Sequence, residues 1–245
     1  MRADEIQRLY DAWHREQRID LELSSPWHRL ASKYLEVERD IEGRRVLEVG
    51  CGRGEFSCWL SSLLPPPQTL VAADISAAAV EKGQRVAKEL GIHNICWEKA
   101  DIQALPFPTG CFDTVISCET IEHVPNPRLA VSELARVLKP GGKLILTTPN
   151  YCGPFGLYRA YLRCAGRRYT EAGQPINKFV MLPLTYRWVS QSHLRVLAID
   201  SVGIHAFVPG RPPIELRLPE KLRWFWRWFG LQSCIIAEKP ESVCQ

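Results

Sequence analysis

The stretch LEVGCGRGEF, residues 47–56, sets three glycines on alternate positions, Gly50, Gly52 and Gly54, directly behind an apolar run. Glycine there lets a ligand approach bare backbone, and a helix opening behind the turn offers unpaired N–H groups with a partial positive charge. A dinucleotide would bring a pyrophosphate to that end through G-x-G-x-x-G spacing. In this chain the third-glycine position of that spacing is Glu55, and Glu48 stands just ahead of the turn. Two flanking carboxylates repel phosphate and suit a ligand with a cationic amine.

Positioning such a loop requires strands on both sides of it. RRVLEV, TLVAAD, NICWEK, FDTVIS and KLILTT are short apolar runs separated by helix-like sequence or breakers, the pattern of buried strands in a parallel, doubly wound α/β sheet. The spacing predicts helices from about Gly54 to Leu64, from a Ser76 N-cap to just before Gly91, and from Pro127 to the KPGG turn. Ile6, Leu9, Tyr10 and Trp13, then Trp27, Leu30, Ala31, Tyr34 and Leu35, predict two amphipathic helices ahead of the core. Ser190 is expected to cap a helix ending near Gly203, IHAFV to be a sixth strand and LQSCIIAEK a seventh. The expected whole is one domain over 1–245: a helical cap (1–43), a core (44–150), a lid insertion (151–187) and a closing part of the sheet (188–245).

Composition narrows the partners. Thirty-one basic against 27 acidic residues leave a formal charge of +4, too balanced for a nucleic-acid surface. Nine scattered cysteines without CxxC spacing read as reduced thiols, and neither a signal-like h-region nor a long apolar span occurs, so a cytoplasmic location is expected. No carboxylate pair with an amide partner follows the fourth strand, so no metal is expected; Asn126, between prolines, reads as a turn residue.

Four blocks in order, VLEVGCGRG, VAADIS, KADIQALPFPTGCFDTVISCETIEHVPNP and ELARVLKPGGKLILTTPN, resemble the class I S-adenosylmethionine-dependent methyltransferases, most closely those of ubiquinone and menaquinone biosynthesis. The resemblance runs through about 45–150. It implies a Rossmann-like, seven-stranded, mostly parallel sheet with an antiparallel last strand, helices on both faces, and S-adenosyl-L-methionine as cofactor. Carried over, it places Gly50, Cys51, Gly52 and Gly54 at the methionine part and Glu48 near its amino group. Asp74, with Ile75 beside it, would take the ribose hydroxyls, since an acceptor-only bidentate group suits that task. Asp101 would take the adenine amine with Ile102 against the ring, and Cys118 would close the crevice at the fourth strand.

In ETIEHVPNP, His123 stands beside the expected methyl group. A near-neutral imidazole can take a phenol or hydroxyl proton; it can equally hold the loop in place, with Glu122 helping. The acceptor expected is a small molecule, hydrophobic in character, carrying a quinone-like, phenolic or lipidic hydroxyl, with C- or N-methylation as alternatives. A nicotinamide oxidoreductase and a non-catalytic cofactor-binding protein are the readings from other classes. Tyr151, Phe155, Tyr158 and Tyr161, interleaved with Arg159, Arg163, Arg167 and Arg168, read as an aromatic, basic lid or as an ordinary amphipathic helix with solvated arginines. LPEKLRWFWRWFG, 218–230, fits a peripheral contact with the inner face of a membrane, a buried connection or a dimer contact.

Overall fold

A computed structural model describes residues 2–16, 25–167, 173–206, 214–216 and 219–241. Arg168, residues 207–208 of the expected sixth strand and Leu218 lie outside the described residues.

Seven strands form one sheet: β1 (Arg45–Val49), β2 (Thr69–Asp74), β3 (Ile95–Lys99), β4 (Phe112–Cys118), β5 (Leu138–Pro149), β6 (Arg195–Val202) and, last in the chain, β9 (Gln232–Glu238). A two-stranded ribbon, β7 (His205–Ala206) with β8 (Ile214–Glu215), stands apart. The order across the sheet is β3-β2-β1-β4-β5-β9-β6, and β9 alone runs antiparallel to its neighbours. Successive strand residues point to opposite faces, so each face has its own core. Leu47, Val115, Leu144 and Leu146 join one, beneath α5 (Pro127–Val137) and α7 (Leu182–Gln191). Val46, Leu70, Ile116 and Ile145 join the other, beneath α2 (Pro26–Ser32) and α3 (Glu55–Ser61).

The helix signal acts as expected at Ser76, which accepts from the Ala79 N–H at the start of α4 (Ala77–Glu89); Asn126, read as a turn residue, instead caps α5 by accepting from the Leu129 N–H. In α1 (Ala3–Glu16), Ile6 and Tyr10 are buried, whereas Leu9 faces outward at 41% exposure. A buried ion pair, Lys143 Nζ to Asp40 at 2.5 Å, ties the segment after α2 to the sheet.

One stretch departs from expectation. Residues 195–202, expected to be helical, are the edge strand β6, and of IHAFV only His205 and Ala206 are described as strand, in the separate ribbon. The helix is α7, which starts at Leu182, inside the stretch read as an insertion. It ends by Gln191, with His193 in the left-handed region at φ 59°. An edge strand half open to solvent mixes polar and apolar residues on both faces, which removes the continuous apolar signal of the central strands.

Candidate active site

Register brings the chemistry together. Val49 pairs with Ala73 and Asp74 with Lys99, so the strand ends β1, β2 and β3 deliver Gly50, Asp74 and Asp101 to one crevice, the ligand position of open α/β sheets. A cavity of about 220 Å³ opens there, lined by Glu48, Gly50, Cys51, Gly52, Asp74, Ile75, Asp101, Ile102, Cys118 and His123. Gly54 is the one expected site residue absent from this wall.

The three glycines do different work. All have positive φ, 76°, 54° and 84° in order. A Cβ on Gly50 would lie 2.1 Å from the Thr120 hydroxyl oxygen, and one on Gly54 would lie 2.2 Å from the Trp97 ring. Gly54 therefore lets α3 close onto β3, a packing role, while Gly52 keeps its backbone at the cavity. Its N–H donates to Asp74 Oδ2 at 2.9 Å, and Ser76 N–H donates to Oδ1 at 2.9 Å. Each Asp74 oxygen keeps a lone pair for a further donor. Asp101 Oδ1 likewise accepts from the Gln103 N–H at 2.9 Å.

Charges near the loop are arranged unequally. Glu55, the residue that argued against pyrophosphate, is paired with Arg53 at 2.9 Å, so its charge is offset two residues upstream. Glu48 is 2% exposed, accepts a hydrogen bond from Ser57, and burial pushes its carboxyl up to about 8.

His123 lines the same cavity. Its Nδ1 lies 2.7 Å from the Ile176 carbonyl, which fixes that nitrogen as the donor; Nε2 lies 3.3 Å from Glu122 Oε1. Burial pushes the imidazole down to about 4, so it is neutral at pH 7. Glu122 Oε2 accepts from the Thr148 hydroxyl at 3.0 Å, and the Glu122 carbonyl accepts from the Lys178 N–H at 2.8 Å. The pair thus stitches the 3-10 turn Ile121–His123 to residues 176–178. Glu119, just after β4, holds φ 48°, a left-handed conformation uncommon for a side-chain-bearing residue and concentrated at functional loops.

Several wall residues come from elements without a motif. Tyr10, Trp13 and His14 of α1, with Trp27 and His28 of α2, close the cavity from above. Asp11 Oδ1 accepts from the Ser76 hydroxyl at 2.7 Å and from the Ala78 N–H at 3.1 Å, which clips α1 to the loop that carries Asp74. Helical spacing revealed α1 as amphipathic, but the identity of its partner is a long-range fact. Behind the lid, buried Asn150 accepts from Leu182 N–H at 2.9 Å and donates to the Trp228 carbonyl at 2.8 Å, joining β5, α7 and the C-terminal segment.

The lid splits by role. In α6 (Pro154–Cys164), the Arg159 guanidinium lies 4.3 Å over the buried Tyr151 ring and donates to the Asn177 carbonyl, so it belongs to the packing, whereas Arg163 and Arg167 are exposed. Residues 220–230 divide likewise: Trp228 packs on the core, while Trp224, in the single turn α8 (Arg223–Trp226), is 67% exposed. Among the described residues no cluster of three or more His, Cys, Asp or Glu could hold a metal, and no helix is long and apolar enough to cross a membrane.

Comparison with known proteins agrees with this geometry. Residues 47–146 match the model of the methyltransferase domain family. A ubiquinone biosynthesis O-methyltransferase of Coxiella burnetii is 29% identical over 179 residues, 71% of this chain and 72% of the relative. A demethylmenaquinone methyltransferase of Listeria welshimeri is 30% identical over 148 residues, 59% and 61% of the two chains. An S-adenosylmethionine-dependent methyltransferase structure from Mesorhizobium loti superposes with a TM-score of 0.62 at 14% identity, covering 89% of this chain and all of that one. The carboxylates at three strand ends, around a loop bare of side chains, fit the hydroxyls and amines of that cofactor. With this domain on a seven-stranded, mostly parallel sheet, the chain is an S-adenosylmethionine-dependent methyltransferase.

Proposed function

We propose that the protein methylates a hydroxyl of a hydrophobic small molecule, quinone-like, phenolic or lipidic. One observation carries this reading: the cavity runs from the glycine loop to His123 under a roof of Tyr10, Trp13 and Trp27, an aromatic wall suited to a flat apolar acceptor. The similarity to an O-methyltransferase of ubiquinone biosynthesis supports the choice of oxygen.

Cofactor contacts follow from the strand ends. Asp74 takes the ribose hydroxyls, Asp101 the adenine amine with Ile102 and Ile75 against the adenosine, and Gly50, Cys51, Gly52 and Cys118 shape the methionine end. Glu48, neutral at pH 7, ionises when the cofactor's ammonium enters beside it, because the cation offsets the burial that holds its proton. The bound cofactor supplies an electrophilic methyl group on sulfur, and the protein's part is alignment and exclusion of water. With Nδ1–H bonded to the Ile176 carbonyl and its basicity lowered by burial, His123 positions the 176–178 segment over the acceptor rather than serving as base, and the acceptor enters ionised, its hydroxyl proton left in solvent.

The exposed apolar side chains Leu157, Tyr161, Ile214, Leu216 and Trp224 lie on elements near the lid, with exposed Arg163, Lys221 and Arg227 alongside. This composition suits shallow seating on an anionic bilayer, from which a lipidic acceptor would be drawn. Incubation with methyl-labelled cofactor and a panel of prenylated catechols and phenols, read by mass spectrometry, tests the reaction. O-methylated product is expected; product methylated only on carbon or nitrogen overturns the oxygen assignment.

A further inference from the structure

The segment 173–181 is pinned beside the cavity by its backbone. The Ile176 carbonyl accepts from His123 Nδ1 at 2.7 Å, the Asn177 carbonyl from Arg159 at 3.0 Å and the Val180 carbonyl from the Tyr151 N–H at 3.0 Å, while the Lys178 N–H donates to the Glu122 carbonyl at 2.8 Å. Two residues ahead of Ile176, Gln174 is the side chain by which this segment reaches the cavity wall. It is half-buried, and its amide makes no hydrogen bond among the described residues. The segment is held in place without using Gln174.

The donors around His123 are spent inside the protein. The Tyr10 hydroxyl donates to the His123 carbonyl at 3.2 Å, the Thr120 hydroxyl to the Cys118 carbonyl at 2.9 Å, and the His123 ring to Ile176. Glu119, on the same wall, is a carboxylate, which accepts hydrogen bonds and repels an anion. An acceptor that reacts as its oxyanion needs a donor that holds the charge without returning a proton. A primary amide is such a group, with two N–H donors and no readily lost proton. We propose that Gln174 binds the acceptor, its amide N–H donating to the ionised hydroxyl that receives the methyl group. The inference rests on the O-methylation reading given under Proposed function. The hydrogen bond is made to the full oxyanion before reaction. As the new O–C bond forms and the electron pair of the S–C bond returns to sulfur, the oxygen loses its charge and the hydrogen bond weakens. Gln174 therefore lowers KM more than it raises kcat.

The test uses the prenylated catechol or phenol that yields O-methylated product, with its analogue lacking the reacting hydroxyl as competitive inhibitor. In Gln174→Leu the acceptor KM should rise roughly 10- to 100-fold with kcat changed by less than about fivefold. The Ki of the deoxy analogue and the calorimetric affinity for S-adenosylhomocysteine should stay within about twofold of wild type, since neither carries the oxyanion. Gln174→Glu keeps the shape but puts a carboxylate where the donor was, so its KM should rise further still. A KM within about threefold of wild type in Gln174→Leu overturns the role, and so does a Ki that rises in step with KM, which would make Gln174 a packing residue of its segment. If no member of the panel is O-methylated, the reading under Proposed function falls and the Gln174 contact with it; if product forms and KM does not move, Gln174 alone falls. Thermal unfolding checks each variant, and where Gln174→Leu does not fold, the ratio of KM to Ki in Gln174→Glu decides.

Discussion

The proposed cofactor end and the proposed acceptor end face one cavity but are built differently. At the strand ends the carboxylates, Asp74 buried and Asp101 half-buried, are held by backbone N–H groups: Asp74 by Gly52 and Ser76, Asp101 by Gln103. At the lid, the elements are short, helix and ribbon ends carry the contacts, and large apolar side chains such as Leu157 and Trp224 stay exposed at 65% and 67%. The difference teaches where each kind of specificity resides. One cofactor with many hydrogen-bonding groups demands a rigid, backbone-defined frame, whereas an apolar acceptor needs shape and access, which packing of side chains can provide.

If the cofactor end depends on that frame, Asp74→Ala should have the largest effect. Loss of two charge-assisted hydrogen bonds should weaken S-adenosylhomocysteine roughly 10²- to 10⁴-fold by calorimetry, and a change under threefold would remove Asp74 from the site. Gly54→Ala comes next. Its Cβ meets Trp97 in a left-handed conformation, so urea unfolding should show about 2–4 kcal/mol of lost stability, with cofactor binding retained at low temperature. Wild-type stability would place Gly54 outside the packing.

Glu48 links this end to pH. Its folded-state carboxyl, at about 8, lies above the unfolded value of 4.5, so the folded state holds the proton more tightly. Stability from this group is fully present below pH 4.5 and is lost as pH rises toward 8. Glu48→Gln should therefore gain about 1.4 kcal/mol per pH unit over wild type across that window, measured by unfolding at several pH values, while binding cofactor more weakly. A pH-independent difference would mean that Glu48 is ionised in the folded protein.

Effects at the acceptor end should be smaller and appear in different constants. His123→Ala should raise the acceptor KM severalfold and lower kcat by less than about tenfold, because the ring anchors Ile176 rather than a proton. A drop of two to four orders in kcat with KM unchanged would make His123 the base after all. The smallest effect is expected for Trp224→Ser. Sedimentation with vesicles containing phosphatidylglycerol should fall severalfold relative to wild type, with activity on a water-soluble acceptor unchanged; equal sedimentation would remove the membrane role.

The local signals were strong where chemistry and secondary structure coincide. Gly50, Gly52 and Asp74 could be located because short apolar runs end at them and a Ser76 cap follows, all within reach of nearest-neighbour physics. The same logic misread 195–202, where an edge strand lacks the apolar continuity of a buried one, and it could not show that Gly54 lies against Trp97.

By itself, the amino-acid sequence determined the order of strands and helices through β5 and the carboxylates at the strand ends. These follow from backbone conformation and side-chain chemistry within a few residues. Tertiary structure alone decided that Arg53 offsets Glu55, that burial keeps Glu48 protonated, that His123 Nδ1 meets the Ile176 carbonyl, and that α1 sets His14 over Gly52. Each of these depends on distance and desolvation. Only packing brings together groups as far apart in the chain as His123 and Ile176, or Asp11 and Ser76, and only packing excludes water from around them.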